Sequence, residues 1–323
     1  MRTPPQIRML PDGRRMHLQD GPIDLIIETF GAAEATRAAY RAAATRFRGL
    51  LDELCDELPA LRVPAHPDRC LLQGPVARRM HAAVAPFAAD SFITPMAAVA
   101  GSVAEEILDT MTAAANLTKA YVNNGGDIAL HLSAGAECFS IGLVDRPDRP
   151  SLLGKAVLSS ADGVGGIATS GWRGRSFSLG IADAVTILAA TAAQADAAAT
   201  IVANAVDLPG HGAVVRVPAQ DLQPDSDLGR KLVTREVGVL DPAEIQEALD
   251  RGMSCANKLL TAGLIQAAAL HLQCETRVIG MSARISAVGQ TPRLRRTPWF
   301  GSSKQSTRKP TRASAAVRGT APH

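Results

Sequence analysis

Apolar residues recur at helical spacing in the first third of the chain and predict helices there. Phe47, Leu50, Leu54 and Leu58 follow one another at intervals of three or four, and Pro59 ends the pattern. Two further stretches with strong helix formers begin next to prolines that suit a first helical turn. The predicted helices cover residues 33–57, 75–85 and 96–114.

Short apolar runs bounded by turn residues predict strands in much of the remaining chain. A turn over 10–13 is flanked by apolar residues, and the run 22–28 follows the Asp20-Gly21 turn. The all-apolar run AVTILA over 184–189 is typical of a buried strand. Further strands are predicted over residues 120–123, 128–132, 138–144, 152–159, 166–169, 213–217 and 233–240.

Two more helices are predicted in the second half of the chain. One is rich in alanine and covers 192–206, and the other follows the capping pair Asp241-Pro242 and covers 242–273, with breaks near its glycines. Helices mixed with consecutive strands favour an α+β fold, with mixed or antiparallel sheets packed against helices.

Composition narrows the class of protein. Hydrophobic residues make up 46% of the 323 residues, enough for a sizeable core, whereas aromatic residues, at 3%, are too few to line a groove for single-stranded nucleic acid. Five cysteines without a CxxC pair argue against a disulfide scaffold and a zinc ribbon. The sequence shows neither an apolar run of membrane-spanning length nor a secretory leader, so we expect a cytoplasmic protein without a membrane span.

Basic residues are concentrated at the C-terminal end. Residues 281–323 contain nine Lys and Arg and no acidic residue, and they are rich in Ser, Thr, Pro and Gly. Such a segment buries too little apolar area to offset its ordering entropy, which predicts a disordered tail after a single domain over 1–280. The tail is either an arm for nucleic acid or a membrane surface, or a solvated extension; we favour the second and expect no nucleic-acid partner.

The segment YVNNGGD carries polar groups around two glycines. Gly125 and Gly126 permit close approach of the backbone to a ligand, and Asn123 and Asp127 flank them with polar groups. Asn-Gly is also the strongest short signal for a hairpin, so a plain turn stays open as the alternative.

A glycine-rich segment, GVGGIATSG, ends in Thr169, Ser170 and Gly171. It does not open a helix, which excludes a Rossmann dinucleotide site. Its hydroxyls and backbone N–H groups suit a phosphate, and Arg173 and Arg175 could add bidentate charge. A structural loop is the competing interpretation.

The Ala-rich helix carries a carboxylate and a hydroxyl one turn apart. Asp196 and Thr200 share a helix face, and such a pair can hold a hard divalent cation with room left for phosphate oxygens. The alternative is that Asp196 complements the helix dipole in the first turn and Thr200 is packed.

Taken together, these segments resemble the ApbE-like superfamily, whose best-known members are FAD:protein FMN transferases. The family motif N-x-G-G-D-I is matched over 123–128, T-S-G over 169–171 and A-D-A-x-A-T over 195–200. The similarity covers roughly residues 20–210, and the compact spacing is closer to a smaller cytoplasmic branch than to the secreted lipoprotein transferases.

The resemblance implies a role for each motif. In the family, the Asp and Thr of the last motif bind a magnesium ion that contacts the FAD pyrophosphate, which implies Asp196 and Thr200 as ligands, with a backbone carbonyl near 96–99. The other motifs line the flavin-nucleotide site in the family. The same role is implied here for Asn123, Gly125, Gly126, Asp127, Thr169, Ser170 and Gly171.

The resemblance also implies a reaction and its partners. A Ser or Thr hydroxyl of an acceptor flavoprotein attacks the FMN-side phosphorus of FAD, and AMP leaves. FAD or a related nucleotide and an acceptor flavoprotein are therefore the implied partners. Dimerisation through the Ala-rich helices is a further hypothesis.

Two departures from the family pattern keep other functions open. The family's Lys-Gly is missing from 96–106, and the segment 172–185 is shorter than in the transferases and lacks their His, with Ser178 in the corresponding region. No catalytic base is assigned. The alternatives are a non-catalytic flavin- or nucleotide-binding accessory protein of a redox system, and an enzyme of another class that reuses the pocket.

Overall fold

An antiparallel sheet of nine strands organises the part of the chain that the computed structural model describes, residues 4–144, 152–280 and 285–287. Every neighbouring pair in it is antiparallel. In spatial order its strands are β1 (Gln6–Met9), β2 (Met16–Asp20), β3 (Ile23–Phe30), β4 (Lys119–Asn124), β5 (Asp127–Leu132), β8 (Gly166–Ser170), β9 (Ala184–Ala189), β12 (Ala267–Leu272) and β13 (Glu275–Gly280).

Two smaller sheets accompany the large one. The first has the order β14 (Ile285–Ala287), β7 (Leu152–Leu158) and β6 (Phe139–Val144), and the second pairs β10 (Val214–Pro218) with β11 (Leu232–Val237). The helices are α1 (Ala33–Phe47), α2 (Leu50–Asp56), α3 (Leu58–Leu61), α4 (Pro75–Val84), α5 (Val99–Ala114), α6 (Ala192–Ala205), α7 (Ala219–Leu222) and α8 (Pro242–Thr261).

The large sheet buries both of its faces. Successive side chains of a strand point to opposite faces, and in β9 Ile187 packs among the residues of α6 and α8, whereas Leu188 packs with Phe139 and Leu158 of the β6–β7 sheet. A separate core joins α1, α4 and α5 to β2, β3 and β4. The predicted α+β class with antiparallel sheets and packed helices is confirmed.

One predicted helix is wrong in its second half. The helix expected over 242–273 ends at Thr261, and the residues Ala267–Leu272 form strand β12 between β9 and β13. Gly263 adopts a φ of 72° just after the helix, a conformation typical of glycine at a helix end. The sequence AAALHL has a high helix propensity, but tertiary pairing in the sheet overrides that propensity.

The long first helix is also divided. The stretch predicted as one helix over 33–57 forms α1 and α2, because Gly49 between them has a φ of 85°. Residues other than glycine rarely adopt that backbone conformation. The conformation of Gly49 changes the direction of the chain between the two helices.

Most of the predicted tail lies outside the described residues. Within 281–323, Ile285–Ala287 form β14, which pairs antiparallel with β7. The remainder of the tail, and the boundary of a single domain at residue 280, stay predictions. Within the described ranges, no helix is both long and apolar enough to cross a membrane.

Candidate functional site

A cavity of about 770 Å³ opens where the β4–β5 turn, the end of β8, the face of α6 and the start of α5 meet. A loop over 223–228, between α7 and β11, contributes to another part of its wall. All nine residues predicted for the site line this cavity: Asn123, Gly125, Gly126, Asp127, Thr169, Ser170, Gly171, Asp196 and Thr200.

The first motif forms the turn between β4 and β5. Asn124 pairs with Asp127 across the hairpin, and Gly125 and Gly126 have φ values of 65° and 120° that the turn requires. Asn123 Oδ1 accepts a hydrogen bond from the Gly126 N–H at 2.8 Å. The segment therefore forms the hairpin turn that was the alternative to a ligand-binding loop. It also lines the cavity.

The second motif lies at the end of β8. The Thr169 N–H donates to Asp127 Oδ1 at 3.2 Å, which ties this strand end to the first motif. The Thr169 hydroxyl is hydrogen-bonded to that of Thr186 on β9 at 2.8 Å. A Cβ on Gly171 would lie 2.5 Å from the carbonyl oxygen of Asp183, so a glycine is needed there for the chain to pass.

The third motif faces the start of another helix. Thr191 caps α6 by accepting a hydrogen bond from the Gln194 N–H, and Asp196 lies beyond the first turn. Asp196 Oδ2 accepts a hydrogen bond from the Gly101 N–H of α5 at 2.9 Å. The residue at the N-terminal cap of α5, Ala98, has no side chain that can accept such a bond. Asp196 thus complements the dipole of α5 and not that of its own helix.

The carboxyls of Asp127 and Asp196, both in the cavity wall, resist ionisation. Burial raises the pKa of Asp127 to about 7, although the Thr169 N–H and the charge of Arg175 oppose the shift. Burial also raises the pKa of Asp196 well above its ordinary value, and the neighbouring charge of Asp127 adds to this effect. Two like charges held close together in a poorly solvated site disfavour each other's ionised form.

The donor set at this position fits a hard cation. Within the described residues there is no cluster of three or more His, Cys, Asp and Glu side chains able to hold a metal. Asp196 and Thr200 instead supply a carboxylate and a hydroxyl, with Asp127 as a second carboxylate nearby. Magnesium is commonly bound through one or two carboxylates with water and phosphate oxygens filling its other positions. A cation would also relieve the repulsion between the two carboxyls.

Ser178, which lies in the region where the family has a His, is not part of the cavity wall. Ser178 is buried, its hydroxyl donates to Asn204 Oδ1 at 3.3 Å, and it accepts from the Gly180 N–H. Its neighbours Phe177 and Leu179 line the cavity instead. Ser178 therefore supports the loop structurally.

Two parts of the wall were missed by the sequence analysis. Asn204 lies on α6 four positions after Thr200 and lines the cavity. Because Asp196, Thr200 and Asn204 are spaced four apart, they share one face of the helix, and this spacing could have indicated Asn204. The loop over 223–228 carries no recognisable motif. It is held against the rest of the wall by hydrogen bonds from Arg62 to Asp225, at 2.7 Å, and from Thr94 to Asp227.

Curated relatives match about half of the chain. The UPF0280 protein of Methanopyrus kandleri is 37% identical over 159 residues, which cover 49% of this chain and 60% of that protein. The UPF0280 protein of Methanocella arvoryzae is 33% identical over 162 residues, 50% of this chain and 63% of that protein. The chain thus spans about three fifths of the length of these relatives.

Solved structures resemble the chain at low sequence identity. The apo flavinyl transferase ApbE of Pseudomonas stutzeri is 11% identical, with a TM-score of 0.44 and coverage of 88% of this chain and 95% of that chain. The flavin transferase ApbE from Vibrio cholerae is 12% identical, with a TM-score of 0.36 and coverage of 83% and 98%.

A family model gives the most extensive match. The model described as "AbpE bacteria" matches residues 7–280, most of the 323-residue chain. The match includes all three motifs and every strand of the large sheet except the first residue of β1. The chain belongs to this bacterial AbpE family, within the ApbE-like superfamily that its motifs resemble.

Proposed function

We propose that this protein transfers FMN from FAD to a Ser or Thr hydroxyl of an acceptor flavoprotein, with the help of magnesium and with release of AMP. The observation that carries the proposal is that three motifs, far apart in the sequence, line one cavity of about 770 Å³ with two neighbouring carboxyls in its wall. That volume lies within the range of pockets that bind organic ligands.

Asp196 and Thr200 are the residues proposed to hold magnesium. Both residues line the cavity from α6. Met96 and Val99 also line the cavity, and a backbone carbonyl of this stretch is the proposed source of a further oxygen ligand. A magnesium ion held by these residues would supply positive charge that stabilises a bound diphosphate.

The glycine-bearing loops would receive the nucleotide. Gly126 has open space where a Cβ would be, so a ligand can approach the backbone of the turn closely. Thr169 and Ser170 present polar groups from the end of β8. Their positions are fixed by strand pairing with β9, which keeps the donors preorganised.

The proposed reaction is a displacement at phosphorus. A bond forms between the acceptor oxygen and the FMN-side phosphorus, the bridging P–O bond breaks, and its electron pair leaves with AMP. The acceptor hydroxyl loses its proton in the process. No side chain is assigned as the base for that proton.

The proposal is tested by measuring AMP. Purified protein is incubated with FAD, MgCl₂ and an unloaded flavoprotein that carries FMN on a Thr residue in its mature form. Wild type releases AMP, and Asp196→Asn and Thr200→Val lower the rate, the first by about 100-fold or more because metal charge stabilisation contributes several kcal/mol. Asp250→Asn, at an exposed position of α8, is the matched control and keeps the wild-type rate.

The outcome that contradicts the proposal is full AMP release by Asp196→Asn. The variant keeps a side-chain oxygen that can accept the Gly101 N–H, so a folding defect is not the expected reason for a loss. Its melting temperature, measured beside that of wild type, checks this directly.

A second candidate function is binding of a flavin nucleotide without turnover. It is favoured by the burial of Ser178 outside the cavity wall, because Ser178 then supplies no group to the cavity in place of the family's His. This function predicts that FAD raises the melting temperature in the absence of magnesium and is recovered intact.

A further inference from the structure

Arg175 lies against the glycine turn of the first motif and lines the cavity. It is exposed, and it belongs to the loop after β8. A Cβ on Gly125 would lie 1.9 Å from Nη2 of Arg175 and 3.0 Å from its Cζ. Gly125 therefore makes the space that the guanidinium occupies.

Two nearby arginines have different environments. Arg173 is committed to the protein, because its Nε donates to the buried carboxylate of Asp183 at 2.5 Å and its guanidinium lies 4.1 Å from the centre of the Trp172 ring. Arg175 has neither a hydrogen bond nor an ion pair within the described ranges, and its charge acts only from a distance on Asp127. Its five N–H donors remain available to a ligand.

The cavity thus has two positions at which a phosphate could be held, one of them through a bound cation. One is the carboxylate and hydroxyl pair of Asp196 and Thr200, where a cation would attract phosphate oxygens. The other is the guanidinium of Arg175 above the β4–β5 turn, whose planar fork matches the geometry of a phosphate. Two such positions in one cavity suit a ligand with two linked phosphates better than a ligand with one.

We infer that Arg175 is a positioning residue that binds one phosphate of an organic diphosphate and so favours a dinucleotide over a mononucleotide. This inference rests on the proposed function for the nature of the ligand. It extends that function by naming the group of this chain that recognises the second phosphate. Arg173, despite its closeness in sequence, takes no part.

Equilibrium binding to the full-length protein in the presence of MgCl₂ tests the inference. The probes are FAD, inorganic pyrophosphate, FMN and riboflavin, which differ in phosphate number. Arg175→Gln is expected to weaken FAD and pyrophosphate about tenfold or more, the usual effect of losing a hydrogen-bonded charge, to weaken FMN less, and to leave riboflavin unchanged. Arg175→Lys keeps the charge without the planar fork and is expected to fall between Arg175→Gln and wild type.

Arg78→Gln is the matched control. Arg78 is an exposed arginine on α4, and it is not among the residues that line the cavity. We expect Arg78→Gln to change FAD binding less than threefold. A loss in Arg78→Gln equal to that in Arg175→Gln would overturn the inference, because the effect would then come from general positive charge.

The outcomes separate the inference from the proposed function. If wild type binds FAD and Arg175→Gln binds it equally well, the inference is wrong and the proposed function is unaffected. If pyrophosphate binding depends on Arg175 but FAD is neither bound nor turned over, the inference on phosphate recognition stands and the proposed function is wrong. If wild type binds neither FAD nor pyrophosphate, both are wrong.

Discussion

Asp127 has a place both in a tight turn and in the wall of the cavity. Its carboxyl accepts the Thr169 N–H, yet burial dominates and raises its pKa to about 7. At neutral pH a large fraction of this side chain is therefore protonated in the folded protein, whereas in the unfolded chain its ordinary value of 3.8 leaves it ionised.

This shift makes the stability of the metal-free protein depend on pH. Because the folded-state pKa lies above the unfolded one, the contribution of Asp127 is fully present below about pH 4 and is lost as pH rises through 7. We expect Asp127→Asn to gain stability relative to wild type between pH 4 and pH 7. Urea unfolding in EDTA at several pH values measures this, with Asp250→Asn as the exposed control. Parallel curves for wild type and Asp127→Asn would contradict the account.

At the same scale, the sequence identifies residues that line one cavity, but it does not identify the side chains that contact them. Gly125, Thr169 and Asp196 belong to short motifs, each of which can be recognised from the types of a few neighbouring residues. The different environments of Arg173 and Arg175 cannot be predicted from such short motifs. They depend on Asp183, just before β9, and on Gly125, in the β4–β5 turn, which the fold brings next to the two arginines.

At the scale of elements, the site depends on the close approach of α5 and α6. A Cβ on Gly101 would lie 2.2 Å from the carbonyl oxygen of Ala192, so the first turn of α5 touches the backbone at the start of α6. The buried alanines of α6 leave little side chain in between. This contact is what places the Gly101 N–H against the carboxylate of Asp196.

We expect Gly101→Ala to destabilise the protein by about 1–3 kcal/mol, since backbone atoms and not a flexible side chain must move to admit the methyl group. Gly212→Ala is the matched control, because no atom lies within 4 Å of its Cβ position and its φ is not in the left-handed region. Urea denaturation of the two variants checks the difference. Equal stability of Gly101→Ala and Gly212→Ala would show that the two helices are not in tight contact.

Elements were predictable where the local pattern and the fold agree. The β4–β5 hairpin and α6 carry turn and capping signals of their own and were found. Strand β12 was missed, because alanine and leucine favour a helix locally and only pairing with β9 and β13 makes the segment a strand.

At the scale of the whole molecule, strand order creates the site. β5 and β8 are neighbours in the sheet although the β6–β7 excursion separates them in the sequence. This order brings the first two motifs to adjacent strands, and α6, which follows β9, packs against β8 and carries the third. Periodicity within single segments does not encode such an order, so the sequence supported the fold class but not the arrangement of the strands.

The central claim is that the third motif holds a cation beside a diphosphate in this cavity. Crystals grown with FAD and MnCl₂, manganese being an anomalous scatterer that replaces magnesium, test it most directly. We expect an anomalous peak at coordination distance from a carboxylate oxygen of Asp196 and the hydroxyl of Thr200, in contact with the FAD phosphates. Bound FAD whose phosphates lie away from these two side chains, with no anomalous peak between them, would contradict it.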